Sequence, residues 1–141
     1  MKRIFLDTNV VIDFLGEREK FIDNAISIMC MAEKGEIEIL CSSLTFSNAA
    51  YILHHGYTLE EIKTKLSLFS QISTITTVDD NVVKLALKSS FKDLEDAMQY
   101  YSALEAGADY IVTRNVKDFV ENSIITLSPQ EFLTAMAKQQ D

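Results

Sequence analysis

Five short runs rich in Ile, Val, Leu and Thr alternate with longer stretches whose apolar residues recur every three or four positions. That alternation constrains the fold more than any other feature of the chain. Strands separated by helices pair in parallel, and a parallel sheet must be covered on both faces. The predicted strands are residues 2–6, 36–41, 72–78, 110–113 and 124–126. The spacing predicts helices over 8–15, 21–32, 44–54, 58–69, 79–88 and 93–106. Gly35, Gly56 and Gly107 stop three of them. Thr58 with Glu61 forms a capping box, and Ser128-Pro129-Gln130-Glu131 opens a terminal helix.

With 141 residues, the chain is expected to be a single domain over 1–141 with one substantial core. No apolar run approaches the roughly 20 residues of a membrane span, and the N-terminus enters its first strand without room for a signal peptide. Cys30 and Cys41 lack metal-type spacing and are expected to be buried thiols in a reducing cytoplasm.

The net charge of −8 argues against a general nucleic-acid scaffold, because such a chain repels phosphate at long range. It leaves room for an enzyme that gathers carboxylates around a cation. In parallel α/β folds, ligands bind beyond the carboxyl ends of the strands, so the acids just after strands or at helix starts carry the question. Asp7, Thr8 and Asn9 follow the first strand; Asp93 and Asp96 open the sixth helix; Thr113, Arg114, Asn115 and Asp118 follow the fourth strand. Individually, Asp7 and Asp93 read equally as helix caps, and Asn115 or Asp118 as turn residues. Together they bring several carboxylates to one sheet edge, where mutual repulsion calls for a divalent ion. Mg²⁺ or Mn²⁺ suits an all-oxygen site.

Three motifs carry a family resemblance: Leu6-Asp7-Thr8-Asn9-Val10, Asp93-Leu94-Glu95-Asp96-Ala97, and Ile111-Val112-Thr113-Arg114-Asn115-Val116-Lys117-Asp118-Phe119. In this order and spacing the chain resembles the PIN domain family, which includes VapC-type ribonuclease toxins. The resemblance implies a three-layer α/β/α sandwich with a mostly parallel five-stranded sheet. It also implies a Mg²⁺- or Mn²⁺-dependent endonuclease for single-stranded RNA, with a small antitoxin as partner and a homodimer as assembly. By motif, Asp7 corresponds to the first metal-binding acid and Asp96 to the helix-borne acid, with Asp93 and Asp118 as further metal candidates. Thr113, Asn115 and Asn48 would orient water or substrate. Thr8, Asn9, Arg114 and Lys117 are the candidate substrate contacts.

Two positions depart from the family pattern. Asn48 stands where many catalytic members carry a Glu in the helix after the second strand, and Asn115 stands where some carry an Asp. Both exchange an anionic oxygen for a neutral one, although an Asn carbonyl can still hold water or a cation. They motivate a second reading, a non-cleaving module that binds RNA or a partner protein. A receiver-type phosphotransfer domain is a third, disfavoured by Asn9 where a second acid would be needed.

Other polar and aromatic residues have simpler readings. His54 and His55 point in different directions and are expected to be helix-dipole partners. Tyr51, Tyr100 and Tyr101 suit core packing or a subunit interface better than base stacking. Arg18 and Lys20 join Arg114 and Lys117 as possible phosphate contacts, with plain surface solvation as the alternative. On the sixth helix, Asp96, Tyr100 and Ala103 form one stripe beside an apolar stripe of Ala97, Tyr101 and Leu104.

Overall fold

A computed structural model describes residues 1–140. Its elements run β1 (Lys2–Leu6), α1 (Thr8–Leu15), α2 (Ile22–Glu33), β2 (Ile37–Ser42), α3 (Ser43–Leu53) and α4 (Leu59–Gln71). They continue with β3 (Ser73–Thr76), α5 (Asp80–Lys88), α6 (Leu94–Glu105), β4 (Tyr110–Val112), a 3-10 turn (Val116–Asp118), β5 (Ile125–Leu127) and α7 (Pro129–Gln140). The sheet order is β3-β2-β1-β4-β5, and every pairing is parallel. The three-layer α/β/α sandwich with five parallel strands is the architecture the strand–helix alternation demands.

Side chains alternate across the sheet, so each central strand feeds two cores. Ile4 and Leu6 of β1, Ile39 and Cys41 of β2, and Val112 of β4 enter a large core with Val11, Ile28, Phe69 and Phe132. Phe5, Leu40 and Ile111 enter a smaller core on the other face with Tyr100, Ala103, Phe119 and Ile124. Near-continuous apolar β1 and β2 therefore follow from burial on both faces. Gly35 and Gly107 adopt φ of 75° and 74° just after α2 and α6, the left-handed conformation in which a glycine ends a helix without steric penalty.

Several expectations shift. The third strand is confined to Ser73–Thr76, because Ile72 closes α4 and Asp79 caps α5, accepting from the Val82 amide at 2.9 Å. The last strand sits one residue later than expected, with Ile124 in the smaller core and Ile125 paired to Tyr110. Cys41 is buried, and burial pushes its thiol up to about 12; Cys30 is exposed, because α2 turns it away from the sheet. On α6 the core stripe is Ala97, Tyr100 and Ala103, whereas Leu104 is exposed. Tyr100 is held there by Phe91 packing and by the Ser123 amide, which donates to its hydroxyl at 3.1 Å. Tyr101 is half-buried against the same core, whereas Tyr51 is exposed, so core packing accounts for Tyr100 and Tyr101 but not for Tyr51.

The sheet order sets the site. From β1 the chain builds outward through β2 to β3, then crosses back to add β4 and β5 on the other side. The carboxyl ends of β1 and β4 flank that change of direction, where an α/β sheet opens a crevice.

Candidate functional site

Asp7 ends β1 and caps α1. Its Oδ1 accepts from the Thr8 amide at 2.8 Å, and its own amide donates to Val112 O at 3.0 Å. Its Oδ2 accepts from the Thr113 hydroxyl at 2.8 Å and from Asn9 Nδ2 at 3.4 Å. The helix-cap reading thus holds for Oδ1, while Oδ2 is held by Thr113 and Asn9. Burial pushes the Asp7 carboxyl above the usual range, opposed by the bonds from Thr113 and Thr8.

Asp96 arrives from the first turn of α6, which Asp93 caps by accepting from the Asp96 amide at 3.0 Å. Glu95, its neighbour, lies beside Asp7 as well. One carboxylate oxygen from each of Asp7, Glu95 and Asp96 falls within 4.8 Å of the others. Burial and the Asp7 charge push Glu95 up to about 7. The same causes, with Asp93, Glu95 and Asp118 adding repulsion, push Asp96 to about 7.

Asn48 on α3 donates to Glu95 Oε2 at 3.3 Å. Glu95 Oε1 is buried and has no hydrogen-bond partner among the described residues. An orphaned acid oxygen beside two more carboxylates is the arrangement a hard divalent cation satisfies, so the residues present fit Mg²⁺ or Mn²⁺.

Of the candidates from sequence, Asp7, Asp96, Asn9 and Thr113 converge. Asn48 reaches the cluster through Glu95. Asp93 and Asp118 stand outside the three-carboxylate group, exposed at its rim. Asn115 is exposed, and its amide donates to Thr113 Oγ1 at 3.1 Å. Lys117 is exposed on the 3-10 turn.

Thr8 and Arg114 turn elsewhere. The Thr8 hydroxyl lies in a buried network with Thr45 Oγ1 at 2.8 Å and Gln99 Nε2 at 3.0 Å. Gln99 Nε2 also donates to Thr45 Oγ1 at 2.9 Å, and Ser42 Oγ donates to Gln99 Oε1 at 2.6 Å. Arg114 forks onto Asp13, with Nε 2.7 Å from Oδ2 and Nη2 3.3 Å from Oδ1, and stacks 4.0 Å from the Phe21 ring centre. Arg18 adds a contact to Asp13 at 3.6 Å. Asp13 is buried, and its carboxylate occupies the Nε and Nη2 donors of Arg114.

Glu95, Asp13 and Gln99 were not identified from sequence. Glu95 lay inside the middle motif, one residue from Asp96, where a first-turn helix acid is commonplace. Polar Gln99 and Asp13 amid apolar helical neighbours were a readable signal of burial, but their partners come from other segments.

A parallel α/β sandwich with carboxylates gathered at its switch point is the architecture of a PIN domain. Residues 3–117 match that family, and the chain belongs to it. A relative at 30% identity over 138 residues, spanning 93% of each chain, is ribonuclease VapC1 of Aquifex aeolicus strain VF5. Among solved structures, FitAcB of Neisseria gonorrhoeae superposes with TM-score 0.68 at 14% identity, covering 90% of this chain and 98% of the other. VapBC2 of Rickettsia felis, bound to a promoter DNA fragment, gives 0.65 at 18% identity, covering 88% and 96%. At these identities the structural likeness establishes the fold. No described helix is long and apolar enough to cross a membrane.

Proposed function

We propose that the protein is a divalent-metal-dependent endoribonuclease acting on single-stranded RNA, the toxin of a toxin–antitoxin pair. One observation carries this reading: oxygens of Asp7 and Asp96, from opposite parts of the chain, lie within 4.8 Å at the switch point of a PIN sheet. Membership of the PIN family and likeness to a VapC1 ribonuclease support it.

Asp7 and Asp96 would hold Mg²⁺ or Mn²⁺, with Asp93 and Asp118 adding negative potential at the rim. The ion supplies neutralisation of the carboxylates and stabilisation of charge developing on a phosphoryl oxygen. The chain's own residues do the positioning. Thr113 and Asn9 hold Asp7 Oδ2 in one orientation, and exposed Asn115, its backbone amide tied to Thr113, would orient water or substrate. Lys117 is the exposed cation nearest in sequence to these residues and suits an RNA phosphate. The net charge of −8 makes RNA capture weak and favours a basic antitoxin segment. A cytoplasmic site accords with the unpaired thiols Cys30 and Cys41, and a homodimer with the family.

The test is incubation of purified protein with single-stranded RNA in Mn²⁺, in EDTA, and as Asp7→Asn. Cleavage in Mn²⁺ alone is expected. Cleavage surviving EDTA or the substitution would reject the metal reading. RNA retained but uncut in Mn²⁺ would instead establish the non-cleaving module that Asn48 and Asn115 motivate.

A further inference from the structure

We propose that Glu95 is the third anionic ligand of the metal centre and that Asn48 is its positioning residue, so that the acid absent from α3 is supplied by α6. The inference rests on the metal-dependent reading above and adds two residues to it.

The geometry runs as follows. Position 48 is where the family resemblance leads one to look for a glutamate, and a neutral amide there removes one charge from the centre. Asn48 nevertheless faces the cluster: its Nδ2 donates to Glu95 Oε2 at 3.3 Å. That bond occupies one oxygen of Glu95 and fixes the plane of the carboxylate. The remaining oxygen, Oε1, is buried and makes no hydrogen bond of normal geometry among the described residues, the Gln99 side chain only easing the charge of the carboxylate, and one Glu95 oxygen lies within 4.8 Å of oxygens of both Asp7 and Asp96. A purely structural glutamate would be stabilised by pairing both oxygens, or would swing into solvent from the first turn of a helix. Glu95 does neither. An amide is suited to this task because it donates to a carboxylate without competing for the cation, whereas a glutamate at 48 would repel Glu95. Outer partners of this kind orient ligands and raise affinity.

Asp93 is the natural control. It carries the same charge two residues away, but it is exposed and caps α6 instead of joining the cluster.

The test is direct Mn²⁺ binding to the full chain by calorimetry or by the free-Mn²⁺ paramagnetic resonance signal. Relative to wild type, Glu95→Gln should weaken binding roughly 100-fold, since ligand charge sets affinity. Asn48→Ala should weaken it roughly 10-fold, and Asp93→Ala by far less than either. In the Glu95→Gln background, Asn48→Ala should cause almost no further loss, because it acts through the missing carboxylate. A thermal midpoint without metal at or above wild type in Glu95→Gln would exclude misfolding as the cause. Wild-type-like Mn²⁺ affinity in Glu95→Gln would overturn the ligand assignment. An equal loss from Asn48→Ala in both backgrounds would overturn the positioning role. Failure of wild type to bind Mn²⁺ would instead reject the underlying metal reading.

Discussion

The Thr113 hydroxyl donates to Asp7 Oδ2 at 2.8 Å, joining the carboxyl end of β4 to that of β1 where the sheet changes direction. Two residues at opposite ends of the chain thereby share one task. Thr113 is fully buried, and its bond is among the influences that hold the desolvated Asp7 carboxyl down. Thr113→Val keeps the shape and removes the donor. It should cost about 1–2 kcal/mol in urea unfolding, the price of a buried acid oxygen left with a weaker partner. RNA cleavage should fall with it, through kcat more than KM.

The carboxylate cluster makes stability depend on pH in a definite direction. Glu95 and Asp96 are pushed to about 7 by burial and by Asp7, from the ordinary carboxylate values of 4.5 and 3.8, and Asp7 is raised too. Asp93 and Asp118 add repulsion, and Arg114 relieves part of it at Asp7. The folded chain therefore binds more protons than the unfolded chain between about 4 and 7. Without metal, the cluster's contribution should be most favourable near pH 4 and be lost as pH rises through 7. Urea midpoints across that range should show the decline superimposed on other titrations, and Asp96→Asn should flatten it. A metal-free protein whose Asp96→Asn variant keeps the full slope would contradict the assignment.

Divalent ion should reverse that trend. Mn²⁺ at 100 times its dissociation constant should add about 2.7 kcal/mol of stability. The gain should grow from pH 6 to pH 8, because the ion competes with protons for the same oxygens. EDTA should abolish it, as read by differential scanning calorimetry.

Arg114 should behave as a brace for the β4 loop. It is clamped by buried Asp13 and stacked on Phe21, while its amide donates to Asn9 Oδ1 at 3.2 Å. Asp13→Ala should cost about 2–3 kcal/mol, since hydrogen bonds to charged groups are the stronger kind. Arg114→Lys should recover little of the function lost in Arg114→Ala, because a lysine can neither fork onto Asp13 nor stack on the ring as a guanidinium does. Recovery by lysine in RNA retention assays would favour a phosphate contact instead.

Gln99 holds α6 against α1, α3 and the end of β2 through Thr8, Thr45 and Ser42. Gln99→Leu should destabilise by about 2–4 kcal/mol, because three buried hydroxyls lose a partner. Glu95 and Asp96 ride on the same helix, so Mn²⁺ affinity should drop as well.

The sequence by itself determined the layer architecture. Strand–helix alternation, the Thr58–Glu61 capping box and the glycine stops at Gly35 and Gly107 are local signals, and the structure carries each of them. The PIN motifs also marked Asp7, Asp96 and Thr113 by their places after strands and at a helix start. Tertiary structure alone decided which polar atoms meet. Periodicity put Tyr101 and Leu104 on the apolar stripe of α6, but the helix buries Gln99 and Tyr100 because their partners lie on other elements. Arg114 reads as a phosphate contact or a solvated charge, and only folding sets it against buried Asp13 of α1. Glu95 is one acid within the middle motif, and only folding sets Asn48, from α3, on one of its oxygens and brings a Glu95 oxygen within 4.8 Å of Asp7 and Asp96. A helix's period is written in adjacent residues, whereas the pairing of a buried charge depends on segments that only folding brings together.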